Sequence, residues 1–207
     1  MDKKTIVWLG SSVTYGSANG GISMADYLGE EDYICHKYAV SGTTLTDDGP
    51  KSYVSRLIAA DLPDTCDLFI CQLSTNDARK ERPIGTASDS FDIGTFDTQT
   101  VAGAAEYIIA FAKNKWNCPV AFYTNPPYPN GHYGKMAEML LSLRGKWDLH
   151  ILDMWNSAEL RSMSDEEYEA LKAKYMKDRI HPNEQGYREW WTPMFRDFID
   201  CVFYGNP

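Results

Sequence analysis

Thr5-Ile6-Val7-Trp8-Leu9-Gly10-Ser11-Ser12-Val13-Thr14-Tyr15-Gly16 joins a short apolar run to a glycine-flanked serine turn. A run of this length, rich in β-branched and aromatic residues and closed by glycine, reads as a buried strand. Runs of the same kind recur at residues 33–40, 68–73, 120–124 and 150–154, each ending near Gly, Ser, Asn or Pro. Between them the spacing of apolar residues changes to that of helices. Residues 52–60 place Tyr53, Leu57 and Ile58 on one face. Residues 98–115 carry Val101, Ala105, Ile108, Ile109 and Ala112, with Asp97 or Thr98 as the cap. Residues 133–147 repeat through Met136, Met139, Leu140 and Leu143. Ser164-Asp165-Glu166-Glu167 has the pattern of a capping box, followed by Tyr168, Leu171 and Tyr175 on one stripe. Asn183 is placed to cap a last helix running to about Tyr204.

Strand–helix alternation predicts an α/β fold: a three-layer α/β/α sandwich around a central, mostly parallel five-stranded sheet, with residues 1–207 as one domain. Ligands of such sheets bind beyond the carboxyl ends of the strands. That rule directs attention to the residues just after Leu9, Val40, Leu73, Thr124 and Met154. Residues 78–96 form a long, polar, unpatterned segment, and loops of that length in compact domains are often functional.

Composition narrows the function classes. The 207 residues are 43% hydrophobic and 24% charged, the balance of a folded globular chain rather than a disordered one. Net charge is −9, and no basic run or Lys/Arg stripe is present to track phosphates, so no nucleic-acid partner is expected. No membrane partner is expected either, since no segment approaches spanning length. The run at residues 5–9 is too short for a signal-peptide core, which predicts a cytoplasmic location unless a leader has been trimmed. The five cysteines include no CxxC pair. Cys35, Cys71 and Cys118 lie in or beside strand-like runs and read as buried, reduced thiols. No HExxH spacing, GxGxxG or P-loop occurs, so neither a metal nor a cofactor is expected.

Two segments carry acid–base and nucleophile chemistry. Gly10-Ser11-Ser12 bends sharply at a strand end, and a serine there sits at a helix N-terminus that favours an anion. The surrounding residues are not GxSxG, which argues against the α/β-hydrolase elbow. Near the other end stands Asp178-Arg179-Ile180-His181-Pro182-Asn183. A carboxylate three residues before an imidazole can accept from Nδ1–H, leaving Nε2 to take a proton from a serine. Val40-Ser41-Gly42-Thr43 and Ser74-Thr75-Asn76-Asp77 follow the second and third strands. The backbone N–H groups of Ser12 and Gly42 and the Asn76 amide are suitable oxyanion donors.

Taken together and in this order, the segments resemble the SGNH (GDSL-like) hydrolase superfamily. By that resemblance Ser12 corresponds to the block-one nucleophile, Gly42 to the block-two glycine and Asn76 to the block-three asparagine. Asp178 and His181 correspond to the block-five acid and base. Two positions depart from the pattern: Ser11 stands where the first block usually has Asp, and Ser74 where the third usually has Gly. The resemblance implies the flavodoxin-like form of the sandwich. It also implies a cofactor-free serine esterase acting on a small-molecule or carbohydrate ester. A short acyl group on a polar alcohol is the favoured substrate, given that 13% of residues are aromatic and no long apolar lid flanks the proposed cleft. A lysophospholipase or thioesterase, and a non-catalytic carbohydrate-binding protein, are the alternatives. Asp153 is the next carboxylate to consider as a partner of His181. His36 reads as a strand residue, His132 as part of a loop bordering the cleft, and His150 as the start of a strand. Trp190 and Trp191 read as packing residues.

Overall fold

The computed structural model describes residues 3–205. Five strands form one all-parallel sheet in the order β2-β1-β3-β4-β5: β1 (Thr5–Gly10), β2 (Ile34–Ala39), β3 (Leu68–Gln72), β4 (Val120–Tyr123) and β5 (His150–Leu152). Ten α-helices accompany them among the described residues. They are α1 (Ser12–Tyr15), α2 (Met24–Glu31), α3 (Tyr53–Ala59), α4 (Thr75–Arg79), α5 (Val101–Trp116), α6 (Gly131–Ser142), α7 (Arg144–Trp147), α8 (Ala158–Ser162), α9 (Asp165–Tyr175) and α10 (Thr192–Tyr204).

Side-chain alternation along each strand builds the two outer layers. Val7, Leu9, Phe69, Cys71, Val120 and Phe122 face a core completed by α3, α5 and α6. Ile6, Trp8, Leu68, Ile70, Ala121 and Tyr123 face the opposite core, completed by α2 and α10. The central β3 is buried at every position, including Gln72 at the end of its otherwise apolar run. The edge strand β2 is different: its residues are exposed or half-buried, so its apolar run is not the buried strand expected.

Several boundaries differ from the sequence reading for identifiable reasons. The helix expected over residues 133–147 is two helices that meet at Leu143. The cap of α5 is Thr100, whose Oγ1 accepts from the Gly103 N–H, rather than Asp97 or Thr98. Asp97 instead closes the preceding turn by accepting from the Gln99 N–H. Strand β5 stops at Leu152 because the Asp153 carboxylate turns back to Thr124 and Asn156. The Ser164–Glu167 capping box is present. Asn183 caps as expected by accepting from the Gly186 N–H, but after Glu184 and Gln185 the six residues Gly186–Trp191 form a π-helical run before α10 begins. Pro193, which lacks an N–H, lies in the first turn of α10 immediately after this wide turn.

Cys66, Cys71 and Cys118 are buried, Cys35 is half-buried and Cys201 is exposed; all five are free thiols. No described helix is long and apolar enough to cross a membrane.

Candidate active site

The strand order reverses direction between β1 and β3, since the chain passes from β1 outward to β2 and then returns to β3 on the other side. The crevice beyond the carboxyl ends of those two strands is the topological switch point of the fold. Ser12 follows β1 there, and Asn76 follows β3.

The turn that carries Ser12 is tight because of Gly10. A Cβ at this position would lie 1.8 Å from Thr14 Oγ1. The turn is braced from β3. Gln72 Oε1 accepts from the Ser11 N–H at 2.9 Å, from Ser11 Oγ at 3.3 Å, from the Thr14 N–H at 3.4 Å and from Thr14 Oγ1 at 3.0 Å. Thr14 spends its one hydroxyl proton on Gln72, so the Tyr123 hydroxyl, 2.7 Å away, donates to Thr14. The Tyr187 hydroxyl donates to the Val13 carbonyl at 2.7 Å from the opposite face. Ser11, in place of the expected aspartate, is therefore one donor in a buried network centred on Gln72.

Ser12 Oγ lies 2.7 Å from His181 Nε2. The other ring nitrogen, Nδ1, lies 2.8 Å and 3.0 Å from the two Asp178 oxygens. A carboxylate only accepts, so Nδ1 carries the proton of the neutral imidazole. Nε2 is then the acceptor for the Ser12 hydroxyl. Asp178 Oδ1 also accepts from the Ile180 and His181 N–H groups at 2.8 and 2.9 Å. Burial acts to raise the Asp178 pKa. The two backbone donors and the His181 ring outweigh it and hold the carboxyl below its ordinary value. Asp153 binds Thr124 Oγ1 and Asn156 and makes no contact with His181.

The loop carrying His181 is fixed on both sides. Met176 and Pro182 form a bridge, the Lys177 N–H donates to the His181 carbonyl, and Asn125 Nδ2 donates to the Ile180 carbonyl at 2.9 Å. Asn125, at the end of β4, is fully buried.

The donors proposed for an oxyanion are also organised by their neighbours. Gly42 has φ = 80°, a backbone conformation that a side chain would strain. Neither the Ser12 nor the Gly42 N–H donates to another group among the described residues. Asn76 Nδ2 donates to the Thr43 carbonyl at 2.9 Å, and Asn76 Oδ1 accepts from Arg79 Nη2 at 3.3 Å. One neighbour only accepts and the other only donates, so the amide has one chemically consistent orientation. That orientation leaves one Nδ2–H uncommitted. Asp77 clamps the same loop, accepting from the Leu45 N–H at 2.7 Å, the Thr46 N–H at 3.0 Å and Thr46 Oγ1 at 2.7 Å. Burial raises the Asp77 pKa despite these donors. Arg56 ties the strand ends together, donating to the carbonyls of Tyr38 and Gly10 at 2.7 and 2.8 Å and to Thr43 Oγ1 at 3.3 Å.

Gln72, Arg56, Asn125 and Asp77 are thus supporting residues that the motif reading passed over. Gln72 had a visible signal, being the one amide in an otherwise apolar strand run. Arg56 had another, a cation lying between Tyr53 and Leu57 on the apolar side of a helix. The other candidates fall outside the site. His132 Nε2 pairs with the Arg82 carbonyl, His36 lies on the edge strand and His150 opens β5. Trp191 is buried against Tyr123 and Phe195, while Trp190 packs on Tyr175. Among the described residues, no group of three or more His, Cys, Asp or Glu side chains is clustered as a metal-ligand set.

No protein-family model matches the chain, and no curated protein matches it by sequence. Solved structures do match it by shape. A protein from Lactobacillus plantarum is 20% identical with a TM-score of 0.74, over 98% of this chain and 99% of its own. A protein provisionally named a GDSL-like lipase, from Bacteroides ovatus ATCC 8483, is 15% identical with a TM-score of 0.67, over 96% and 99% of the two chains. An acetyl xylan esterase is 14% identical with a TM-score of 0.59, over 93% and 98%. The chain therefore has the SGNH hydrolase fold along nearly its whole length.

Proposed function

We propose that the chain is a serine hydrolase of carboxylic esters, with Ser12 as nucleophile, His181 as general base and Asp178 as the group that orients the imidazole. The observation that carries this reading is the hydrogen-bonded series Ser12 Oγ, His181 Nε2, His181 Nδ1 and Asp178, at 2.7 and 2.8 Å. Nε2 accepts the Ser12 proton as Oγ attacks the carbonyl carbon. The carbonyl π electrons move to oxygen, where the Ser12 and Gly42 N–H groups and the free Asn76 Nδ2–H receive the negative charge. His181 then returns the proton to the departing alcohol, leaving an acyl-Ser12. Water, deprotonated by His181, releases the acid and restores the hydroxyl. Asp178, held ionised, stabilises the imidazolium formed in each half-reaction.

A short acyl group on a polar or carbohydrate alcohol is the preferred substrate of this reading. The likeness in fold to an acetyl xylan esterase supports it. A fluorophosphonate should add its mass to the peptide containing Ser12, and Ser12→Ala should lower p-nitrophenyl acetate hydrolysis by on the order of 10³-fold or more. Labelling of a different serine, or retained activity in Ser12→Ala, would overturn the assignment. Across p-nitrophenyl esters the optimum should fall at short chains. An optimum at long chains would replace the short-acyl reading with the lysophospholipase or thioesterase one.

A further inference from the structure

Helix α4 ends, one turn after Asn76, on Arg79, and two further basic residues, Lys80 and Arg82, follow it in the next three positions. Two of them are paired with the same carboxylate. Asp48 pairs with Lys80 at 2.8 Å and with Arg82. Arg79 is not. Its guanidinium is solvent-exposed, it forms no ion pair with any carboxylate among the described residues, and its one hydrogen bond is to Asn76 Oδ1 at 3.3 Å. Its remaining N–H groups face no protein acceptor. In a chain of net charge −9, an unneutralised arginine against the oxyanion-hole amide stands against the general trend of the surface.

The placement has a specific chemical consequence. The Asn76 amide has Nδ2 toward the reacting carbonyl in the proposed mechanism and Oδ1 on Arg79, so the guanidinium lies one amide group away from the oxyanion position. A planar cation with free paired N–H groups matches the two oxygens of a carboxylate or phosphate. We propose that Arg79 makes the site selective for esters that bear an anionic group a few bonds from the scissile carbonyl. The proposal rests on the esterase reading of Ser12 and His181 and names its substrate class.

Matched pairs of esters separate charge from size. On the alcohol side, 4-acetoxybenzoate is compared with its neutral isostere 4-acetoxybenzamide. On the acyl side, mono-4-nitrophenyl adipate is compared with 4-nitrophenyl hexanoate. The wild-type enzyme should prefer the anionic member of one pair by roughly 5- to 20-fold in kcat/KM, the order expected for one charge-assisted hydrogen bond. The pair that shows the preference tells which side of the ester carries the anion. Because Arg79 also touches Asn76, the quantity read is the anionic-to-neutral ratio, not the rate alone. Arg79→Ala should bring the ratio near one, Arg79→Lys should keep part of it, and Arg79→Glu should invert it. Raising ionic strength should compress the wild-type ratio. A wild-type ratio near one in both pairs, or Arg79→Glu slowing both members equally, would overturn the proposal and leave the esterase reading standing. Absence of Ser12-dependent hydrolysis of every ester would overturn both.

Discussion

Asn76 is where a catalytic and a structural role make different demands on one side chain. Its Nδ2 already serves the Thr43 carbonyl and its Oδ1 already receives Arg79. A purely structural asparagine needs no more than that. The proposed mechanism uses the remaining N–H, and only when the substrate oxygen becomes charged. Asn76→Ala should therefore lower kcat by about 10²–10³-fold with KM nearly constant. It should also cost roughly 1–3 kcal/mol of stability, because the buried Thr43 carbonyl loses the nearer of its two donors and keeps only Ser74 Oγ at 3.4 Å. Asn76→Asp should be at least as slow, since the carboxylate supplies no N–H and repels the oxyanion. Steady-state kinetics paired with denaturant melts separate the two effects. A destabilised variant with wild-type kcat would confine Asn76 to holding the loop. At this scale the sequence was informative where chemistry restricts residue type. Ser12, Gly42 and Asn76 lie just past strand ends, Asp178 and His181 lie in the loop after α9, and the structure brings Ser12 together with His181 and Asp178. It was uninformative for Asn125, because its role depends on the Ile180 carbonyl of a distant segment that no local pattern displays.

Elements were legible where composition or capping marks them rather than by burial: α9, which has no buried residue, is read from its capping box. Strands β1, β3 and β4 follow their apolar runs closely, and β2 was found despite its exposure because its composition is strand-like. Helix α2 escaped the reading. Its Ser23/Asp26 capping box uses Asp rather than the usual Glu or Gln. Residues 78–96, which looked like an unpatterned loop, are in fact held. Lys146 Nζ reaches the carbonyls of Ser88 and Ser90 as well as the buried Glu106, and His132 holds the Arg82 carbonyl. The connection between β3 and the turn that carries Ser12 can be tested by substitution. Gln72 Oε1 satisfies two backbone N–H groups and two hydroxyls that lie out of reach of water. Gln72→Leu keeps the volume and removes the acceptor, so it should cost about 2–4 kcal/mol by leaving those buried donors unpaired. It should also lower kcat, because the turn carrying Ser12 loses its brace. Gln72→Glu restores the acceptor and should recover part of the activity. Melting curves and kcat measured on both variants check this, and a Gln72→Leu enzyme of unchanged stability would show that the turn is held by sterics alone. The loop over residues 43–46 has an equivalent anchor. Asp77→Ala frees the Leu45 and Thr46 donors together, and a loss on the order of 2–4 kcal/mol is expected in the same melts.

For the whole molecule, strand–helix alternation was enough to predict the sandwich, but not the strand order. Order is set by which crossovers run to which side, and only the three-dimensional packing shows that β1 is flanked by β2 and β3 and so opens the switch point. The same packing decides how the acidic surface responds to pH. Asp48 links residues on both sides of the Asn76 helix by pairing with Lys80, Arg82 and the Thr44 hydroxyl. Partial burial opposes its ionisation, yet these donors prevail and lower its pKa from 3.8 to about 2. A carboxylate whose folded pKa is depressed contributes stability that is present above the unfolded value and lost as pH falls through the folded one. Asp178 shifts in the same direction, whereas Asp77, raised by burial, shifts in the opposite one. Asp48→Asn should therefore be less stable than wild type at pH 7. The gap should be no more than about 1 kcal/mol, since these pairs are partly open to solvent and screened. It should close as pH is lowered from 3.8 toward 2, where wild-type Asp48 becomes neutral as well. Urea melts at a series of pH values, repeated in high salt, read this directly. High salt should narrow the gap at pH 7. A gap that persists unchanged at the acid end would mean that Asn at this position disturbs packing around Thr44, and that the charge on Asp48 does not hold the two segments together.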